Sequence, residues 1–160
     1  MKIELLFSLL RIALGFILFW SFLDKLFGFG FATGNDKSWL QGSSPTAGFL
    51  QFGTDGPMAS YFQGLAGSPS VDWLFMIGML GIGIALLLGI GMKIAGYSGA
   101  LLMFLLYLAV FPSENNPIID EHIIYLLLFL MYSKREIGMQ FSLSKWWGKT
   151  AIVKKYPVLQ

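Results

Sequence analysis

Four long apolar runs divide this chain, and lipid is the solvent that accepts such a pattern. They cover residues 5–23, 73–92, 94–111 and 117–133, the first closed by Asp24 and Lys25 and the third by Pro112. Spans of about 17–25 residues suit a hydrocarbon core about 30 Å thick. Inside that core each backbone N–H needs a partner in its own segment, so runs of this length are helices. Of 160 residues, 56% are hydrophobic and 12% charged. A soluble domain carries about 25% charge and has too little interior to hide so many Leu, Ile and Phe side chains. The expected fold is all-α: a single membrane domain over 1–160, built as a bundle of four transmembrane helices. The first run follows Lys2 as a signal peptide would, but it contains Arg11 and lacks a small-x-small cleavage site, so a retained first span is expected.

Helix starts carry their own chemistry. Ser68-Pro69 precedes the second run and Asn116-Pro117 the fourth, each a polar cap followed by proline at a first helical position. Between the first two spans lies a loop, 28–71, rich in Gly, Ser and aromatic residues. Two short helices are expected in it, one opened by Ser44-Pro45 and one by Gly56-Pro57, lying on the membrane surface as a lid. Gly81, Ala85 and Gly89, and Gly96 with Ala100, recur every four residues and predict close helix packing. They also offer faces for a homo-oligomer.

Basic residues orient the chain. With both termini in the cytoplasm, the inside holds Lys2, Lys93, Lys134, Arg135, Lys145, Lys149, Lys154 and Lys155, and the outside only Lys25 and Lys37. The segment 140–160, with Trp146 and Trp147, reads as a basic amphipathic tail against anionic lipid.

Chemistry is restricted by what is missing. With no Cys and one His, the chain alone offers no disulfide, thiolate metal site, Cys-ligated cluster or bis-His haem, and one His with carboxylates is a weak metal pattern. Nothing points to nucleic acid, haem or flavin. The sharpest constellation is Glu114, Asn115, Asn116, then Asp120, Glu121 and His122. Only ten apolar residues, 123–132, follow it, about 15 Å of helix, or half a bilayer core. Ionisable groups held at depth face a bundle interior or a wet cavity. Asp120, Glu121 and His122 are therefore catalytic candidates, with Tyr125 one turn on to complete a carboxylate–histidine–tyrosine group. The bland alternative is that the two acids only cap a helix. Asp24 and Lys25 end the first helix on the same side and are expected either to face that group or to form a simple interfacial stop. Arg11 either snorkels toward Glu4 and lipid phosphates or projects inward to bind an anion or a carbonyl. Trp20, Trp73, Tyr107 and Tyr125 are candidate hydrogen-bond donors to a ligand.

The runs Arg11–Gly15, Phe19–Lys25, Gly42–Gly48, Asp72–Phe75, Gly81–Ala85 and Glu114–Pro117 with Asp120–His122 together resemble the DoxX/DoxD-like membrane proteins, over nearly the whole chain. That resemblance implies a four-helical prokaryotic cell-membrane protein linked to sulfur or oxidative-stress metabolism. It also implies kinship with the DoxD subunit of thiosulfate:quinone oxidoreductase. The expected ligand is a quinone, and the expected partners are the bilayer and a second oxidoreductase subunit that supplies electrons. A quinone site needs an apolar cleft and a few donors, for which Arg11, Trp20, Asp24, Lys25, Trp73, Glu114, Asn115, Asn116 and Tyr125 are the binding candidates. Two alternatives stay open: a small-molecule or anion transporter, and a non-catalytic scaffold for a redox partner.

Overall fold

A computed structural model describes residues 2–113, 116–134 and 137–159 of the chain. The described residues form helices and turns with no strand. The long helices are α1 (Ile3–Phe27), α4 (Pro69–Leu88) and α5 (Met92–Val110), and each is long and apolar enough to cross a membrane. Between α1 and α4 lie α2 (Ala47–Phe52) and α3 (Ala59–Gln63), with single 3₁₀ turns at Asn35–Lys37, Trp39–Gln41 and Gly56–Met58. The shorter α6 (Glu121–Tyr132) follows α5, and α7 (Ser144–Trp147) and α8 (Ala151–Lys155) close the chain.

Local sequence sets these limits. Gly28 stops α1 in the left-handed conformation, its N–H bonded to the Asp24 carbonyl at 2.8 Å. A Cβ there would lie 2.7 Å from Asn35 Cα and the Gly34 oxygen, so no larger residue fits. Pro69 opens α4 behind Ser68, and left-handed Gly89 ends it. Residues 89–91 then reverse the chain directly into α5, which makes α4 and α5 antiparallel neighbours. The order of packing is α1 on α4, α4 on α5 and α5 on α6.

Glycine sets the seams between α1 and α4 and between α5 and α6. A Cβ on Gly15 would come within 2.8 Å of Leu86 Cβ and 2.9 Å of Leu87 N, and one on Gly83 within 2.9 Å of Phe19 N. Gly96 meets the Phe129 carbonyl and Ser133 in the same way, and Gly99 gives its space to the Phe129 ring. Close backbone approach of this kind suits packing between helices in lipid. The core between the seams holds Leu14, Leu18, Ile82, Leu86, Met103, Phe129 and Tyr132. Gly81 departs from expectation: it is exposed and nothing lies within 4 Å of its would-be Cβ. Gly83, two residues on, points about 160° away by helical rotation and carries the contact instead. Gly89 serves as a helix stop.

Only 28%, 33% and 33% of the most apolar windows of α1, α4 and α5 are buried inside the bundle. Leu9, Phe16 and Ile17 on α1, Leu74 and Ile77 on α4, and Leu101 and Phe104 on α5 point outward. Apolar surface on this scale faces lipid comfortably and water poorly.

The two ends of the bundle differ. The first and last described residues lie at one end with the starts of α1 and α5 and the close of α4 and α6; we call it the terminal end. The other, the loop end, carries residues 28–68, folded over it. Asp55 N–H donates to the Ala109 carbonyl at 2.9 Å, and Leu50 and Phe62 bury against Ala109. Both short helices expected in this segment are present, the second entered through the Gly56–Met58 turn. The fourth apolar run departs from expectation: its helix starts at Glu121 rather than 117. The Asn116 side chain caps the N–H groups of Ile118 and Ile119, at 3.0 and 3.2 Å, and spends the Asn-Pro signal on a turn. Asp120 then adopts an extended conformation and caps α6.

Candidate functional site at the loop end

The turn at 116–120 delivers Asp120 to the first turn of α6 with both carboxylate oxygens engaged. Oδ1 accepts the backbone N–H groups of His122 at 3.0 Å and Ile123 at 3.4 Å. Oδ2 meets His122 Nδ1 at 2.8 Å. The Asp120 side chain is 4% exposed and that of His122 19%, so the pair is shielded but one edge of the ring is reachable. A carboxylate on Nδ1 places the ring proton there and fixes the tautomer. Nε2 is then the free nitrogen, without a hydrogen-bond partner among the described residues. In neutral imidazole it accepts a proton; in imidazolium it donates one. Ile118 and Ile119, just before the pair in the chain, are exposed.

The other members of the expected group take different places. Glu121 is exposed and makes no hydrogen bond among the described residues. Tyr125 packs partly buried against the core, and no hydrogen bond joins it to His122 or Glu121. The carboxylate–histidine–tyrosine group is thus a carboxylate–histidine pair. Tyr107 donates its hydroxyl to the Ile118 carbonyl at 2.7 Å, bracing the turn before Asp120 from α5. Glu114 and Asn115 lie outside the described residues.

Asp24, Lys25, Trp20 and Trp73 sit on the α1–α4 half. The Asp24 side chain, 2% exposed, accepts N–H groups from Phe31, Ala32 and Thr33 at 3.3, 2.9 and 2.8 Å. It folds the chain back across the end of α1. Lys25 lies over the Phe75 ring at 6.0 Å, a cation–π contact with α4. Neither makes a hydrogen bond or ion pair with Asp120 or His122 among the described residues. Trp20 packs on Phe29 and Phe31, with centroids 5.7 and 5.3 Å away, and Trp73 packs edge-to-face on Trp39 at 4.6 Å.

Arg11 belongs to the terminal end. It is fully buried, and each of its five N–H groups reaches a backbone carbonyl. Nε donates to Gly138 at 2.8 Å; Nη1 donates to Leu86 and, at 3.2 Å, to Leu87; Nη2 donates to Gln140 at 3.0 Å and Phe141 at 3.3 Å. Two of these carbonyls belong to the last turn of α4, where the helix dipole favours a cation. Arg11 is inward-facing and binds carbonyls. With all five donors engaged, none is left over for an anionic ligand.

Several residues that organise the ends carried no sequence signal. Tyr132 donates to the Phe7 carbonyl at 2.7 Å beside Arg11, and Ser8 Oγ accepts from Gln140 N–H at 3.1 Å. Trp39 lies in a loop and was not separable from its neighbours. Ser44 was visible as a helix start and, with Thr46, as part of a resembling run, but neither was tied to Asp72. Among the described residues no cluster of three or more His, Cys, Asp or Glu could hold a metal ion.

The fold and this arrangement define an all-helical protein with three apolar helices of membrane-crossing length. No family model, curated protein or solved structure matches the chain.

Proposed function

We propose that this chain is a multi-pass prokaryotic cell-membrane protein of the DoxX/DoxD-like kind that handles a quinone at its loop end. The observation that carries this reading is the Asp120–His122 pair, 2.8 Å apart, with Nε2 free and exposed isoleucines just before it in the chain. In this reading α6 is a fourth span, completed beyond its twelve helical residues by the flanking turns. The basic terminal end faces the cytoplasm, as the positive-inside bias requires. A quinone in the bilayer brings its oxygen to Nε2. A partner subunit supplies two electrons, and the imidazolium passes protons one at a time, each replaced from water at the loop end, so that quinone plus two electrons plus two protons gives quinol. Asp120 orients the ring and stabilises the imidazolium. Sulfur or oxidative-stress metabolism is the physiological setting this kind of protein implies.

The test begins with lipid extracted from the purified protein and continues with the chain in nanodiscs titrated with a short-chain ubiquinone. Mass spectrometry of the extract is expected to find retained quinone. His122→Ala is expected to abolish saturable binding, and to slow quinone reduction in the assembled complex about a hundredfold or more. Absence of quinone in the extract, together with equal binding by wild type and His122→Ala, would sink the proposal.

A further inference from the structure

A cleft of about 270 Å³ opens at the loop end between residues 39–44 and the first turn of α4. Trp39 and Trp73 form one corner, their rings 71° apart, and Ser43, Ser44 and Asp72 form its polar side. Asp72 is 6% exposed, yet it does not cap the helix that carries it. Its Oδ1 accepts hydroxyls from Ser44 at 2.8 Å and Thr46 at 2.5 Å. Oδ2 has no hydrogen-bond partner, and no cation pairs with Asp72, among the described residues. No fully buried side-chain oxygen among the described residues lacks a partner, so Oδ2 keeps some exposure, and Asp72 lines the cleft.

We propose that this cleft binds an ammonium group, primary or quaternary, between the two indoles and Asp72. In this edge-to-face pair one indole's edge covers part of the other's face, so the cation meets the indole face left open at the corner, and the carboxylate supplies the opposing charge. The hydroxyls offer little to a neutral polyol. Those of Ser44 and Thr46 are spent on Asp72, and that of Ser43 on the Asp36 carbonyl at 3.4 Å. A metal ion would need further carboxylates, which the described residues do not bring together. The ammonium group has two sources, a zwitterionic lipid headgroup or a free amine. The site shares no residue with the Asp120–His122 pair, so it stands or falls separately from the quinone reading.

The experiment uses the full chain in nanodiscs of phosphatidylglycerol alone, titrated with choline and with ethanolamine. Binding is read from the indole N–H resonances of Trp39 and Trp73, assigned with Trp39→Phe and Trp73→Phe. A saturable shift of both resonances is expected. Trp73→Leu, on an exposed ring, and Asp72→Asn, which keeps an acceptor for Ser44 and Thr46, should each weaken it about tenfold. In phosphatidylethanolamine nanodiscs, a filled site that resists added amine, with headgroup retained in native mass spectra of wild type but not Asp72→Asn, identifies the lipid as source. Equal binding in both nanodiscs identifies the free amine. No shift with any ammonium probe or zwitterionic lipid, a shift unchanged by Asp72→Asn, or competition by glycerol as strong as by choline, would overturn the proposal.

Discussion

Removing the Arg11 guanidinium is expected to unfasten the terminal end of the bundle. Its donors join three stretches of chain: α1 itself, the close of α4 at Leu86 and Leu87, and the loop at 138–141. Hydrogen bonds from a charged donor contribute about 1.5–3 kcal/mol each. Five of them would overshoot, because burying the guanidinium costs several kcal/mol in desolvation. The net loss for Arg11→Ala is therefore about 3–5 kcal/mol, as for other broken buried charge networks. Arg11→Lys keeps the charge, but three donors on one nitrogen cannot span all three stretches; the expected loss is about 2 kcal/mol. Arg11→Met restores the volume and leaves the carbonyls unmet. The assay is unfolding of the detergent-solubilised protein by a denaturant series, followed by circular dichroism. Tryptic cleavage at Lys145 and Lys149 reports the loop's release. If Arg11→Met matches wild type in both, the carbonyls are satisfied without the guanidinium and the latch contributes nothing to stability.

Three other outcomes are expected. Gly83→Ala, whose Cβ would meet the Phe19 backbone at 2.9 Å, should destabilise the protein by about 1–3 kcal/mol in the same unfolding assay, while Gly81→Ala, with open space, should be neutral; equal effects would refute the assigned seam. Asp24→Ala should leave three amide groups at 31–33 without their acceptor, raising hydrogen exchange at Ala32 and Thr33 while α4 and α5 stay protected; unchanged exchange there would show the carboxylate is dispensable. The chain contains no Cys, so single substitutions report sidedness without background: Ser43→Cys should label in intact cells with an impermeant maleimide, and Lys154→Cys only after permeabilisation. The reverse pattern would invert the proposed orientation.

The helices that hydropathy controls were readable in the sequence: α1, α4 and α5 lie where the first three apolar runs lie, with ends shifted by a few residues. The Ser68-Pro69 start held because proline occupies the first helical position. The identical reading of Asn116-Pro117 failed because a second and stronger cap, Asp120, stands four residues downstream; a side chain that can cap a turn or a helix does not declare which. A repeat of small residues could not tell Gly81 from Gly83, since a glycine leaves no trace of which face meets a neighbour. At the candidate site the Asp120–His122 contact is local, two residues apart, and follows from capping geometry. The partners of Arg11 and Asp24 are backbone groups, which every residue carries, so no pattern of side chains could announce them. Trp39 against Trp73, and Asp72 against Ser44 and Thr46, depend on how a long segment folds back, and periodicity is silent on that.

The latch at Arg11 also imposes an order in time. Its carbonyl acceptors at Gly138, Gln140 and Phe141 are made at least 127 residues after the guanidinium itself. At about 5–20 residues per second of synthesis, the first helix waits roughly 6–25 s before those acceptors exist. Until the Leu86 and Leu87 carbonyls are made, its charge has one refuge, the nearby interface, reached by extending back along its own helix. A nascent chain stopped before residue 138 is therefore not a shortened version of the folded bundle. It holds an ion in lipid with most of its bonds unmade, and synthesis of residues 138–141 is what supplies the missing acceptors.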